Sequence, residues 1–281
     1  SFVFKKIGAV DAVFNVSSEE PGFTFRSLRA NCFVEQSATG QQTVTLQSDH
    51  LEIDRGPLKI RLAKVNVDVD ITPKSVRLNH LVLEGESISV NMRGGVALSG
   101  RKAHRPDSLH VNYDLRIALV LLNAIAELKL PKLTGMLESS GTIQWAPEAY
   151  SGSGKLRFEE LSLDGYGLGT GGFQFDLNEK KATLSALLIR IAQGEISSNN
   201  LTVDFVDRFP MLGELTLKDV RLEALLAGLQ IPSHVFGFFN GQMRINGFLA
   251  NPFSVDAEIK QRFTDFHEPD KIERGRTFDN T

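Results

Sequence analysis

The chain of 281 residues has one cysteine, Cys32, so no internal disulfide can form. Cysteine usage therefore does not decide the compartment. Cys32 stands among Ala30, Asn31, Phe33 and Val34 and reads as a half-buried small residue. An excess of either charge is missing too: 31 Lys and Arg stand against 34 Asp and Glu, a net −3. Phosphate binding draws on clustered Lys and Arg, so this balance argues against nucleic acid as the main partner. It argues equally against simple electrostatic adhesion to an anionic membrane. The chain has neither an apolar run long enough to span a bilayer nor a signal-peptide pattern. It opens at Ser1 without methionine, and the expectation is a piece of a longer protein with any targeting segment upstream.

Catalytic and cofactor patterns are also missing. The histidines (His50, His80, His104, His110, His234, His267) show no ligand spacing and no cysteine partner, so no metal is expected. The run Gly167-Leu168-Gly169-Thr170-Gly171-Gly172 lacks the Lys-Ser/Thr of a phosphate loop and opens no helix. Strand ends or bulges are the expected place for its glycines. No Gly-x-Ser-x-Gly elbow occurs. Carboxylates such as Asp68 and Asp70 fall on the polar side of alternating segments, unpaired for acid–base work. Arg101, Lys102, His104 and Arg105 read as a solvated basic loop. The chain is expected to be neither an enzyme nor a cofactor protein.

What fills the sequence is alternation. Val65, Val67, Val69 and Ile71 alternate with Asn66, Asp68 and Asp70. Ile88, Val90 and Met92 do the same, as do Phe173, Phe175 and Leu177, then Leu201, Val203 and Phe205, and finally Met243 and Ile245. Successive strand side chains point to opposite faces, so each segment has one apolar and one polar face. This is the texture of antiparallel sheet. Glycines near the segment ends supply turns and bulges. A finer signature, apolar-x-apolar-x-x-apolar-x-apolar, occurs in VRLNHLVL (76–83), LRFEELSL (156–163) and LTLKDVRL (215–222). The wider gap predicts a bulge or turn that keeps the apolar residues on one face.

Two segments read as short helices: 114–130, DLRIALVLLNAIAELKL, and 219–229, DVRLEALLAGL, with Asp219 as its cap. Neither reaches the ~20 apolar residues that span a bilayer. A proline follows each (Pro131, Pro232), then a hairpin marked by glycines six apart (Gly135 and Gly141; Gly241 and Gly247), then Pro147 or Pro252. The unit recurs after about one hundred residues, as in arrays whose repeats pack on their neighbours. The expected organisation is a first set of β-groove repeats over 1–130 ending in a short helix. A second repeat unit covers 131–263, and a polar tail, loop or interrupted repeat covers 264–281.

The runs GKLRFEELSLDGYGLGTGGFQFDL (154–177), ATLSALLIRIAQGEISSNNLTVDF (182–205) and GQMRINGFLANPFSVDAEI (241–259) resemble the AsmA-like superfamily, TamB-type proteins in particular. The resemblance lies in texture and repeat grammar over roughly residues 40–260, with no catalytic residue to carry over. It implies a mostly β, elongated, curled antiparallel sheet with an apolar groove. It further implies a periplasmic place, an inner-membrane anchor upstream, and phospholipid movement toward the outer membrane. A BamA-type barrel partner would bind outside this chain.

Candidate groove-lining residues are Val65, Val67, Val69, Ile88, Val90, Phe173, Phe175, Leu201, Val203, Phe205, Met243 and Ile245. A groove that carries phospholipid acyl chains is the leading reading. The alternatives are a scaffold that assists outer-membrane protein or autotransporter assembly through strand edges, and a closed β-sandwich module. Groove-lining and closed-core residues alternate in the same way, so the sequence leaves these open.

Overall fold

A computed structural model describes residues 6–18, 23–55, 58–98, 106–123, 132–147, 149–163, 165–191, 193–206, 209–221, 223, 236–248, 251–267 and 278–279. Almost all of them lie in antiparallel strands. The chain divides into two compact units, residues 1–129 with 137–152, and residues 130–136 with 153–281.

In the first unit, seven strands pair in chain order: β1 (Lys6–Ser18), β2 (Phe23–Gln36), β3 (Gln42–Arg55), β4 (Leu58–Thr72), β5 (Ser75–Gly85), β6 (Ile88–Leu98) and β7 (Pro106–Ala118). Short polar turns make this meander possible. Between β4 and β5 the Thr72 hydroxyl accepts from the Ser75 N–H at 2.9 Å and the Lys74 N–H at 3.3 Å. Such a side-chain bond holds the turn without help from the rest of the sheet. β8 (Leu133–Ala146) contributes its later residues to this unit, where Tyr113 Oη and Ser139 Oγ lie 3.2 Å apart.

The second unit continues with β9 (Ala149–Leu163, from Ser153), β10 (Tyr166–Asn178) and β11 (Lys181–Ile191). β12 (Gly194–Ser198) and β13 (Leu201–Asp204) share the next place. β12 pairs with the later half of β11 and β13 with its earlier half. Both then pair with β14 (Pro210–Arg221), followed by β15 (Phe236–Phe248), β16 (Asn251–His267) and β17 (Phe278–Asp279).

The wider gaps at 78–81 and 217–220 are bulges. In VRLNHLVL the ladder steps from Leu78–Gly94 to Leu81–Met92, so two residues of β5 oppose one of β6. In LTLKDVRL it steps from Leu217–Gly241 to Val220–Phe239. A residue at or beside the gap is left-handed in several strands, with φ 50° at Asp11, 51° at Glu160, 49° at Ala186 and 52° at Asp219. That conformation costs a non-glycine residue roughly 1 kcal/mol or more. It also turns the residue's N–H out of the ladder. The next strand meets that N–H with a side chain: Asp11 N–H donates to Asn31 Oδ1 at 2.9 Å, and Asp219 N–H to Asn240 Oδ1 at 2.8 Å. Glu160 N–H reaches Thr170 Oγ1 at a longer 3.4 Å. The bulged backbone also crowds its other neighbour. A Cβ on Gly194 would lie 2.5 Å from the Asp219 carbonyl, and one on Gly135 2.6 Å from the Glu159 oxygen.

Several expectations need correction. Residues 114–118 are the end of β7, not helix; Leu115 pairs with Val90 and Ile117 with Ile88. Only a single turn, α1 (Val120–Asn123), follows, and residues 124–131 lie outside the described residues. Residues 219–221 likewise belong to β14, and Val220 is wholly buried there, at 0% exposure. Residues 222 and 224–235 lie outside the described residues. Each glycine-spaced segment is one strand rather than a hairpin: Gly135 and Gly141 both lie on β8, Gly241 and Gly247 both on β15. The expected tail at 264 is strand as far as His267. The glycine run 167–172 lies within β10, and a Cβ on Gly169 (φ +80°) would strike the Arg190 carbonyl oxygen at 1.9 Å. The basic cluster at 101–105 is outside the described residues.

The bulge caps set a stability prediction. Asn240→Ala leaves the Asp219 amide without its acceptor and lowers unfolding free energy by about 1 kcal/mol. Gly194→Val costs more, because backbone rather than a movable side chain blocks its Cβ. Denaturant midpoints at constant m-value measure both, and a Gly194→Val protein as stable as wild type would refute the crowding argument.

Candidate functional site

Strand register places the apolar residues in rows. Directly opposed residues of antiparallel strands share a face. In the first unit one row runs Cys32, Leu46, Val67, Leu81, Met92, Tyr113 across β2 to β7. A second runs Ala30, Ser48, Val65, Leu83, Val90, Leu115. A third joins Val34, Val44, Val69, Leu78, Gly94 and Val111. Val65, Val67, Val69 and Val90 thus stand on one face, with Ile88 beside Ile117 at its end.

The second unit has the same construction. One row runs Phe175, Leu184, Leu201, Gly213, Ile245, and another Leu177, Ala182, Val203, Met211, Gly247. Phe173 falls at the bulge opposite Ala186 and Leu187, where the ladder steps from Gly172–Leu188 to Gln174–Ser185. Met243 pairs with Leu215. Phe205 follows β13, its N–H donating to the Lys180 carbonyl at 2.6 Å. The structure therefore assembles Phe173, Phe175, Leu201, Val203, Met243 and Ile245 into one apolar face of this unit. The signal for row partners such as Leu81 and Leu83 lay in the bulge signature, which a search for unbroken alternation passes over.

These faces are only half-buried. Val65 is buried at 4% exposure and Ile245 at 8%, yet Val67, Val69, Val90, Phe175, Leu201, Val203 and Met243 are all intermediate. Among the described residues the buried hydrophobic set is small: Ala30, Leu62, Val65, Leu119, Phe158, Leu187, Val220 and Ile245. A face sealed beneath a second packed layer would bury nearly all of its central residues.

The opposite face is polar and internally paired. In the first unit Asp70 accepts from Thr43 Oγ1 at 2.6 Å and from Asn79 Nδ2 at 3.1 Å, and Asn79 also donates to Asp68 at 3.1 Å. Asn79 is one of the two gap residues in the β5 bulge, so the extra residue serves the polar face. His80 Nδ1 lies 4.0 Å from Asp68 Oδ2. Ion pairs join neighbouring strands, Lys64 to Glu84 at 3.1 Å and Arg116 to Glu138 at 3.4 Å. In the second unit Arg244 meets Glu214 at 3.0 Å. Exposed pairs of this kind add little energy and keep the face wetted.

Cys32 is half-buried, as its neighbours led us to expect. Among the described residues no three His, Cys, Asp or Glu side chains are placed to hold a metal ion. No described helix is long and apolar enough to cross a membrane. No protein-family model, no curated protein and no solved structure matches the chain.

The Asp70 cluster has a measurable consequence. The Thr43 and Asn79 hydrogen bonds hold the Asp70 carboxyl below its usual range, with Gln41 and Arg77 adding to them, against the opposing effect of burial. The folded-state value is thus depressed. Its contribution to stability is complete above the ordinary carboxylate value of ~3.9 and fades as pH falls through the lowered one. Thermal melts from pH 2 to 6 are expected to show Asp70→Asn destabilised near pH 6 and converging on wild type at the acid end. A gap that stays constant across the range would show that the carboxylate does not titrate in this way.

Proposed function

We propose that the chain carries phospholipid acyl chains on the apolar faces of its sheets, as a binding segment without catalytic chemistry. The observation that carries this reading is the half-burial of the central rows, Val67, Leu81 and Met92 in one unit and Phe175 and Leu201 in the other. A hydrocarbon tail laid along such a row removes more apolar surface from water. Each buried methylene is worth ~0.8 kcal/mol, so ten of them offset several kcal/mol of withdrawal from a bilayer. In this reading the bulges bend the strands, the sheets curl around their apolar side, and the wetted polar face turns outward.

The resemblance to AsmA-like, TamB-type proteins supports the same reading. It supplies the wider setting we propose: a periplasmic segment of an inner-membrane-anchored protein that moves phospholipid toward the outer membrane. A BamA-type barrel would then act through regions outside this chain. The alternative is a scaffold for β-rich client proteins. It is favoured by the exposure of Ile7, Val10 and Val13 on β1, which places apolar side chains in solvent along one strand.

Lipid extraction tests the proposal. Organic extracts of the purified protein, analysed by mass spectrometry, are expected to contain phospholipid in molar proportion to protein. Val67→Asp with Val90→Asp should remove it while far-UV strand content stays unchanged. These two positions are chosen because they are half-buried; Val65 and Ile245 would test folding instead. A wild-type protein free of lipid overturns the conduit reading. Cross-links to β-rich clients through β1 would then favour the scaffold.

A further inference from the structure

The first unit holds one hairpin tip unlike its others. Only Pro147 and Glu148 separate β8 from β9, and Trp145 and Tyr150 stand shortly before and after them. Trp145 is the only tryptophan of the chain. It is 37% exposed, Tyr150 36% and Ile143 42%. Register brings the three together. A Cβ on Gly152 would lie 3.8 Å from the Ile143 Cα and 2.9 Å from the Thr142 carbonyl oxygen. Gly94 stands in the same relation to Val111 and the His110 oxygen, and Gly94 pairs with Val111. Gly152 therefore opposes Ile143, and two residues nearer the turn Tyr150 opposes Trp145. Opposed residues share a face.

That face is the apolar one. Tyr113 pairs with Met92 in an apolar row, and its Oη lies 3.2 Å from Ser139 Oγ on β8. Alternation from Ser139 carries Gly141, Ile143 and Trp145 to the same side, with Thr142 and Gln144 on the other. A row close to the turns at this end, Ile71, Val76, Val96 and Leu109, is apolar and half-buried. Counting outward from Tyr113 and Ser139 brings Ile143 level with Leu109. The apolar face thus runs to its rim at this hairpin and ends there in an aromatic pair.

The chemistry of the tip selects a partner. Residues 139–154 carry one charge, Glu148, where the whole chain is 23% charged, so the tip can leave water without stranding many ions. With no Lys or Arg it has nothing to draw it to an acidic surface. β2, β4 and β8 run the same way, so the turns that follow them share one end of the unit. The other two are polar: Ser37 and Thr39 hydroxyls lie 2.8 Å apart, and Thr72 holds the Ser75 amide. Trp145 and Tyr150 instead combine an apolar ring with one N–H or O–H. Such rings settle at the boundary between hydrocarbon and head groups, the ring dehydrated and the polar atom wet. A cross-strand aromatic pair also steadies a hairpin, but that role gives nothing to the exposed Ile143 beside it.

We infer that this hairpin tip seats in the interfacial layer of a phospholipid bilayer through Trp145, Tyr150 and Ile143, and marks the rim where acyl chains pass between bilayer and apolar face. The inference rests on the acyl-chain reading above and adds the surface from which the chains come.

A single tryptophan lets the chain report on its own tip. The whole chain is mixed with phosphatidylcholine vesicles brominated near the head-group end of their acyl chains, and the vesicles are floated through a density gradient. Wild type is expected to float with them, with Trp145 emission quenched by the bromines. Added salt should not release it, because the tip has no basic residue to screen. Trp145→Ser removes apolar area and should weaken flotation roughly tenfold. Its far-UV strand content should stay unchanged. Tyr150→Ser should weaken flotation as well while keeping the fluorophore. Val67→Asp with Val90→Asp, on inner rows, should float as wild type does. Protein that stays in solution unquenched overturns the inference and leaves the acyl-chain reading to the lipid extraction above. Quenching without flotation also overturns it, and favours uptake of acyl chains alone. Flotation that Trp145→Ser leaves unchanged puts the membrane contact elsewhere and overturns it too.

Discussion

One constraint governs this structure: a strand has two faces, and an odd number of extra residues exchanges them. Each unit keeps its apolar residues in rows across many strands, so every insertion must be absorbed where it occurs. The bulges do this. At Asn79–His80, and again at Lys218–Asp219, two residues take the place of one, and the valines and leucines on either side stay on the same face. Without the bulge at 218–219, Leu217 and Val220 would point to opposite sides, and the buried Val220 would meet water.

The bulge in turn imposes its own chemistry. A left-handed residue turns its amide away from the ladder, and an unpaired amide is costly when it is shielded from water. Asn31 and Asn240 supply the missing acceptor from the following strand. Gly194 and Gly135 supply the room on the preceding one. Three features that look unrelated in the sequence are therefore one device: a wider gap in the alternation, an asparagine on the next strand, and a glycine on the strand before. The rows, and with them any apolar surface, depend on that device.

Much of this was legible in the sequence. Alternation at 65–71 and 88–92 placed those strands and their faces, and the repeated signature placed bulges that the ladder register contains. The expected helices begin too early in the chain, for a physical reason. Leu115 and Ile117 do alternate with Asp114 and Arg116, but the unbroken run from Ala118 to Leu122 hides the pattern. At 219–221 the helical spacing of the leucines further on outweighed the bulge signature that overlapped it, yet cross-strand pairing with Phe238 and Phe239 claims these residues. The Glu214–Arg244 pair was not legible at all. Asn199 and Asn200 interrupt the alternation, but only the register of β14 against β15 brings Glu214 to Arg244, thirty residues apart in the chain. Long-range register of this kind leaves no trace in one sequence.

The small buried set has a consequence for how such a sheet persists. Hydrophobic burial normally supplies the main driving force of folding, against a conformational entropy cost of similar size. Here many central apolar side chains remain half in water, so ladder hydrogen bonds, turn bonds and bulge caps carry a larger share. Each contributes only about 1 kcal/mol net. A guest that covers the rows would add burial that the chain lacks by itself, and binding to the folded form alone stabilises that form by mass action. Stability and occupancy are then linked in both directions. Under the proposed function, charged substitutions on a half-buried row would weaken binding without unfolding the sheet, because little of the sheet's own stability resides there. The same substitution at Val65 or Val220 removes burial that the fold already uses. The difference between the two classes of position separates a surface kept for a guest from a core that merely failed to close.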